Sequence, residues 1–394
     1  MMIDQPVQDF PFVAIEGPPR ERGISYGRQA AARIHKSEEI YVRAMERRGF
    51  PWREVKRLAG EFGPTIARLD PRFMAEIEGI AEGACVDLET VIVVNARSEI
   101  FNGRAPGDRI SARAAQDAMP AEGCTSALAL GTATRSGHLL QGQNWDFNAE
   151  CVHSAIVLKV VPEAGPQILT FVEAGGLARS GLNAVGIAVT ANNLECEQDF
   201  DRTGMPLSMI RRRILEAGTF AEAIGAVTAA ERAVSNNMTV SQVHGDEAIN
   251  LETTPDEVFA LWPDAEGLFT HANHFQSLAA QVKVRDTAKL SRTPCTLYRD
   301  RRVMAALASR AGDLTVDDFK TALSDTFATP HSVCRPPVEG RNGHVSSTVA
   351  TVVFDPAAGL LHARPAPYRP DTTYTVYALE AAGQDLGGQV AAAQ

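Results

Sequence analysis

A cysteine directly follows a glycine in the stretch Ala121-Glu122-Gly123-Cys124-Thr125-Ser126, and downstream the chain reads Gly142-Gln143-Asn144-Trp145-Asp146-Phe147. Small and apolar residues run from Ala127 to Leu130, and Ser136-Gly137 marks a turn. This spacing predicts a hairpin with Cys124 opening one strand and Asp146 near the end of the other. A thiol needs a proton acceptor to become an effective nucleophile, and no histidine lies within a few residues of Cys124. Cutting the chain between Gly123 and Cys124 would supply one, because a free α-amino group, with an ordinary pKa of about 7.7 to 8, titrates near working pH. Gly123 has no side chain to obstruct attack on its own carbonyl, and Asp146 is placed to accept a hydrogen bond from the new amine. The cut would leave pieces of 123 and 271 residues, 1–123 and 124–394.

The blocks Glu122-Gly123-Cys124-Thr125-Ser126, Gly142 to Phe147, Gly181-Leu182-Asn183 through Ala191-Asn192-Asn193, and His271-Ala272-Asn273-His274-Phe275 resemble the acyl-coenzyme A:6-aminopenicillanic acid acyltransferase family. That family belongs to the N-terminal-nucleophile hydrolases, and the resemblance extends from about Glu21 to about Asp355. It implies an α+β fold, the four-layer αββα sandwich, preceded by a mostly helical amino-terminal segment. It also implies an aspartate beside the nucleophile at Asp146, an oxyanion donor at Asn193 and a second active-site asparagine at Asn273. Asn192 is one residue from Asn193 and so points to the opposite strand face, which lets only one of the two face the thiol. Gln143 stands where related bile-salt hydrolases and penicillin V acylases carry an arginine, which argues against a bile-salt substrate. Some relatives complete the site with an arginine in a late strand, whereas Val345 to Ala350 here holds none and Arg341 lies nearby.

The substrate reading is a small molecule with an N-acyl or amide bond, met by Phe147, Asn192 and Phe275, with Phe171 as a further apolar candidate. Water as acceptor makes the chain a cysteine amidohydrolase, and an amine makes it an acyltransferase. Two other readings compete. One is an uncut papain-like site of Cys124, His271 or His153, and Asn273, which needs Cys124 at a helix amino terminus. The other is an inactive scaffold. His271 and His274 lack a third ligand nearby, so neither a metal nor a cofactor is expected.

These residues have to be carried by elements. Asp70-Pro71 reads as an N-cap with proline at the first helical position, and the pattern from Pro19 to about Arg104 is helical, with one long run from Gly23 to Arg48. Residues 102–121 are turn-rich and read as an exposed loop. Strands follow near 124–130, 138–147, 153–160, 167–173, 177–182 and 185–190. A helix pair lies at 206–217 and 220–231, where Thr219 and Glu222 form a capping-box pattern. Strands near 234–243, 247–253 and 257–262, helices at 294–310 and 316–323, and strands near 347–354, 359–364 and 373–378 complete the order of two helix-covered antiparallel sheets.

Composition agrees with a globular enzyme. Apolar residues make up 45% of the 394 and charged residues 22%, and the formal charge of -10 disfavours nucleic acid. The basic runs Glu46-Arg47-Arg48 and Arg211-Arg212-Arg213 read as solvated faces or ion pairs, with a coenzyme A phosphate site as the sharper alternative. Six dispersed cysteines without a C-x-x-C argue against zinc and against a disulfide framework. No basic leader with an apolar run behind it opens the chain and no long apolar stretch interrupts it, so no membrane span and a cytoplasmic setting are expected. The two pieces are expected to stay associated, and a homo-oligomer is compatible.

Overall fold

The structure, a computed structural model, describes residues 7–47, 49–101, 123–287, 293–340 and 344–379. The expected 102–121 loop, Arg48, Arg341 and the carboxyl-terminal tail lie outside the described residues. Strand β1 (Phe12–Gly17) precedes six helices: α1 (Pro19–Gln29), α2 (Ala31–Glu46), α3 (Trp52–Leu69), α4 (Pro71–Ala84), α5 (Leu88–Asn95) and α6 (Arg97–Phe101). Then come β2 (Gly123–Ala129), β3 (Leu140–Asn148), β4 (Ala155–Pro162), β5 (Ile168–Glu173), β6 (Ser180–Asn183) and β7 (Ile187–Asn193). Helices α7 (Leu207–Glu216) and α8 (Phe220–Thr228) lead to β8 (Asn236–Gln242), β9 (Glu247–Thr253), β10 (Val258–Leu261) and β11 (Leu268–His271). Helices α9 (Leu278–Lys283), α10 (Thr296–Ala308) and α11 (Val316–Leu323) precede β12 (Val338–Glu339), β13 (Val345–Asp355), β14 (Leu360–Pro365) and β15 (Thr375–Ala378).

The strands form two sheets. One runs β1-β4-β5-β6-β7-β8-β9-β10, and the other runs β11-β2-β3-β13-β14-β15 with β12 beside β13. Helices α7 and α8 pack on the outer face of the first sheet, and α10 and α11 on the outer face of the second. Layer order is therefore αββα, as expected. Every residue of β2 and β3 is buried because both faces of their sheet are covered, which is why β2 reads as an unbroken small and apolar run rather than an alternation.

The amino-terminal segment departs from expectation in two ways. It contributes β1, which pairs in parallel with β4, so the first sheet is not wholly antiparallel and the segment is part of the sandwich. The run expected as one helix from Gly23 breaks at Ala30, with φ -104°, where no glycine or proline signals a stop. Asp70 does cap α4, accepting from the Arg72 N–H, and the Thr219–Glu222 capping box on α8 is complete.

The space between the sheets near β2 and β3 is polar. Gln141 Nε2 donates to Thr190 Oγ1 (2.8 Å) and to the Thr239 carbonyl (2.9 Å), while Asn250 Nδ2 donates to Asn237 Oδ1 (3.1 Å). Buried donors of this kind persist only when their partners are present, and here both amide nitrogens are matched across or along a sheet. Among the described residues no helix is long and apolar enough to cross a membrane.

Candidate active site

Strands β2 and β3 pair Gly123 with Asp146 and Cys124 with Trp145. Alternation along the strands puts Cys124 and Trp145 on the face toward the first sheet, where Trp145 meets Phe171, and puts Gly123 and Asp146 on the face toward α10. Thiol and carboxylate thus occupy neighbouring positions on opposite faces of one hairpin. Cys124 sits within a strand, so it lacks the helix amino terminus that the papain-like reading needs.

Strand β11 pairs with β2 only as far as His271 opposite Ser126. Beyond that point the side chain of Asn273 replaces the missing ladder acceptor. The Cys124 N–H donates to Asn273 Oδ1 at 2.9 Å, and Asn273 Nδ2 donates to the Asn193 carbonyl at 3.0 Å. The turn carrying Asn273 is fixed by Thr296 Oγ1, which accepts from the Asn273 N–H (2.7 Å), and by Glu252, which accepts from the Gln276 and Ser277 N–H groups and meets His271 Nε2 at 2.8 Å.

Asp146 does not take the Cys124 N–H in this uncut strand. Its Oδ1 accepts from Thr348 Oγ1 at 2.6 Å, and its Oδ2 has no hydrogen-bond partner among the described residues. That orphan oxygen lies 3.9 Å from Arg299 Nη1 and 3.9 Å from Arg335 Nη2, and a methyl group built on Gly123 would stand 2.7 Å from it. Arg299, on α10, also donates to the Cys124 carbonyl (2.6 Å), Thr125 Oγ1 (2.8 Å) and Asn273 Oδ1 (2.7 Å).

Among the described residues β13 carries no arginine, and Arg299 and Arg335 are the guanidiniums that approach Asp146. Arg299 was legible as a helix position: buried residues of α10 fall at Thr296, Arg299, Asp300, Val303 and Leu307, a helical stripe that turns Arg299 inward. Arg335 precedes β13 and carries no local signal.

Arg179 Nη2 lies 3.6 Å from Cys124 Sγ, and the guanidinium stacks 4.2 Å from the centroid of Trp145. A guanidinium beside a thiol favours the thiolate. Burial pushes the thiols of Cys151, Cys196 and Cys334 up to about 12, so none of them competes as a nucleophile at neutral pH. All six cysteines are free thiols.

Of the remaining expected residues, Asn193, Asn192 and Phe147 flank this centre and Phe275 lies apart from it. Asn193 ends β7 with its amide 3.5 Å from Glu195 Oε1. Asn192 is fully buried, donating to Ser126 Oγ (2.9 Å) and the His271 carbonyl (3.1 Å) and accepting from Gln143 Nε2 (2.8 Å), so its amide staples the sheets. Phe275 belongs to a separate apolar cluster with Leu194, Cys196, Phe259 and Ala280. Phe147 stacks on Trp145 with Arg97 4.6 Å above its ring centroid. Within the run 211–213, Arg211 and Arg212 are buried rather than solvated, and Arg212 and Arg213 pair with Glu76 and Asp70.

The curated acyl-coenzyme A:6-aminopenicillanic-acid-acyltransferase 40 kDa form of Emericella nidulans is 28% identical over 370 residues, covering 92% of this chain and 95% of that protein. Among solved structures, the Caenorhabditis elegans N-acylethanolamine-hydrolyzing acid amidase ortholog is similar at a TM-score of 0.43 and 16% identity, over 59% of this chain and 93% of that one. Penicillin V acylase from Agrobacterium tumefaciens is similar at 0.42 and 12%, over 64% and 84%. The family model for acyl-coenzyme A:6-aminopenicillanic acid acyl-transferase matches residues 132–364, more than half of the chain. The chain therefore belongs to the acyl-coenzyme A:6-aminopenicillanic acid acyl-transferase family.

Proposed function

We propose that this family member is a self-processing cysteine amidohydrolase with Cys124 as nucleophile. The observation that carries the reading is Gly123, pressed without a side chain against the orphan oxygen of Asp146 while the next N–H is held by Asn273. In processing, Cys124 Sγ attacks the Gly123 carbonyl carbon, the C–N bond breaks, and the thiol proton ends on the departing amine. Water then hydrolyses the thioester, releasing the Gly123 carboxylate and the free thiol. Loss of Gly123 exposes Asp146 Oδ2 to the new α-amino group, which also retains Asn273 Oδ1 as an acceptor. The same amine then takes the thiol proton during attack on a substrate amide and gives it to the leaving amine.

Arg299 holds the Cys124 carbonyl, so the residue stays in register once its amino side is free. Acyl transfer to an amine shares the first half-reaction, and hydrolysis is preferred because water is the acceptor always at hand. Intact mass under denaturing conditions tests the reading. Wild type should give pieces of 123 and 271 residues and Cys124→Ala a single chain. A single chain in both folded proteins would overturn the self-processing mechanism.

A further inference from the structure

Beside Arg179, whose Nη2 lies 3.6 Å from Cys124 Sγ, is a small cavity of about 20 Å³, room for a group of a few atoms, walled by Asn95 and Arg97 from the amino-terminal helices and by Arg179, Ser208 and Arg211 from the rest of the chain. Three guanidiniums, each more than nine-tenths buried, line it. We infer that this cavity is a carboxylate-binding subsite, and that the amide substrate carries a carboxylate which Arg211, with Arg179 and Arg97, receives while the scissile carbonyl meets Cys124. The inference rests on the proposed role of Cys124 and adds the substrate's charge to it.

Arg211 supplies the main argument. Its Nη2 reaches Asn236 Oδ1 only at 3.4 Å, and its Nε has no hydrogen-bond partner among the described residues. A buried guanidinium left this way is costly unless an anion completes it. Burial first, and then the neighbouring Arg179 and Arg97, push its pKa down to about 9, as expected of a guanidinium held out of water beside two others. Two carboxylates face the group. Glu173 is already held by Arg97 and by the Tyr41 hydroxyl (2.6 Å), and burial pushes Glu99 up to about 7, which weakens it as a counter-charge. A planar guanidinium fork is the side chain best matched to a carboxylate. The link to the nucleophile is direct, since Arg179 both lines the cavity and approaches Cys124 Sγ at 3.6 Å.

Processed wild-type enzyme can be offered two matched pairs. Glutaryl against valeryl p-nitroanilide places the carboxylate on the acyl side, and N-hexanoylglycine against N-propylhexanamide places it on the amine side. Alkylation of Cys124 by iodoacetate against iodoacetamide, each referred to free cysteine, reads the same preference without requiring turnover. The expected result is at least a tenfold preference in kcat/KM for the charged member of one pair and a matching preference for iodoacetate. Both should shrink to within threefold in Arg211→Met and be partly retained in Arg211→Lys. Ratios within threefold in wild type for both pairs and for alkylation would overturn the subsite, even while acyl-enzyme forms on Cys124. Failure of the nucleophile reading is seen separately, as an uncut chain with no acyl-enzyme from any probe.

Discussion

At Gly123 the missing side chain is an active part of the site. An added methyl would stand 2.7 Å from Asp146 Oδ2 and 3.0 Å from Asp146 Cβ, and Asp146 cannot swing aside because Thr348 holds its other oxygen at 2.6 Å. Gly123→Ala should therefore push the strand away from the carboxylate and slow the appearance of the two pieces at least tenfold, measured by mass after synthesis. A variant that folds with an unchanged melting temperature and is cut at the wild-type rate would show that this close approach is irrelevant to processing. Cys124 and Asp146 were legible because one hairpin brings them together, and strand alternation is a local rule. Arg179 and Arg299 are 55 and 175 residues from Cys124, and contacts at such separation are set by how layers stack rather than by any local pattern. Asn273 was found only through its motif, and its use as a substitute strand acceptor follows from where β11 ends.

Among elements, α1 and α4 pair most closely in the amino-terminal segment. Gly23 and Gly27 on α1 face Gly79 and Gly83 on α4, and a methyl on Gly27 would stand 2.3 Å from the Ile80 carbonyl oxygen and 2.7 Å from the Ala84 nitrogen. Backbone atoms cannot rotate away, so Gly27→Ala must separate the helices. The expected cost is about 1–3 kcal/mol, seen as a lower urea midpoint in the uncut Cys124→Ala background. Gly60, on α3, has open space around its missing Cβ, so Gly60→Ala should be neutral or stabilise by up to about 1 kcal/mol. Equal effects at both positions would refute the packing argument. Most of the helix and strand order after Cys124 was readable because periodicity and capping agreed there, as at Thr219 and Thr315, but the four-residue β11, the short α9 and the two-residue β12 were not expected, being too brief to show a period. Strand β1 escaped because six residues joined in parallel to β4 have no turn partner in the sequence to announce them.

Across the whole molecule, cutting at Cys124 would turn one folded chain into a complex of two, held among the described residues by what crosses between residues 7–101, with Gly123, and the remainder. The buried centre of that junction is Glu76 on α4, which accepts from Arg22 on α1 and is met by Arg212 Nη1 from α7 at 3.2 Å, with Glu76 and Arg212 fully buried. Around it, Tyr26 donates to the Gly176 carbonyl (3.0 Å), Asn95 Nδ2 to the Gly175 carbonyl (2.9 Å), and the Leu207 N–H to Glu99 Oε1 (2.8 Å). Glu76→Gln would leave the Arg22 and Arg212 guanidiniums to share Glu216, which meets Arg212 Nε at 3.0 Å and lies 4.0 Å from Arg22, a change expected to cost about 3 kcal/mol, the low end for a broken buried pair. In the uncut Cys124→Ala chain this should appear only as a lower melting temperature, because the covalent link keeps the halves at high effective concentration. In processed enzyme it should also separate the pieces at urea concentrations where the wild-type pair still co-elutes on size exclusion. The exposed cross-junction pair Arg68–Glu231 serves as the contrast, since solvent screens it and Arg68→Ala should leave co-elution unchanged. If Glu76→Gln pieces remain together through the wild-type range, the junction is held by its apolar contacts, and the buried ions only orient α1, α4 and α7.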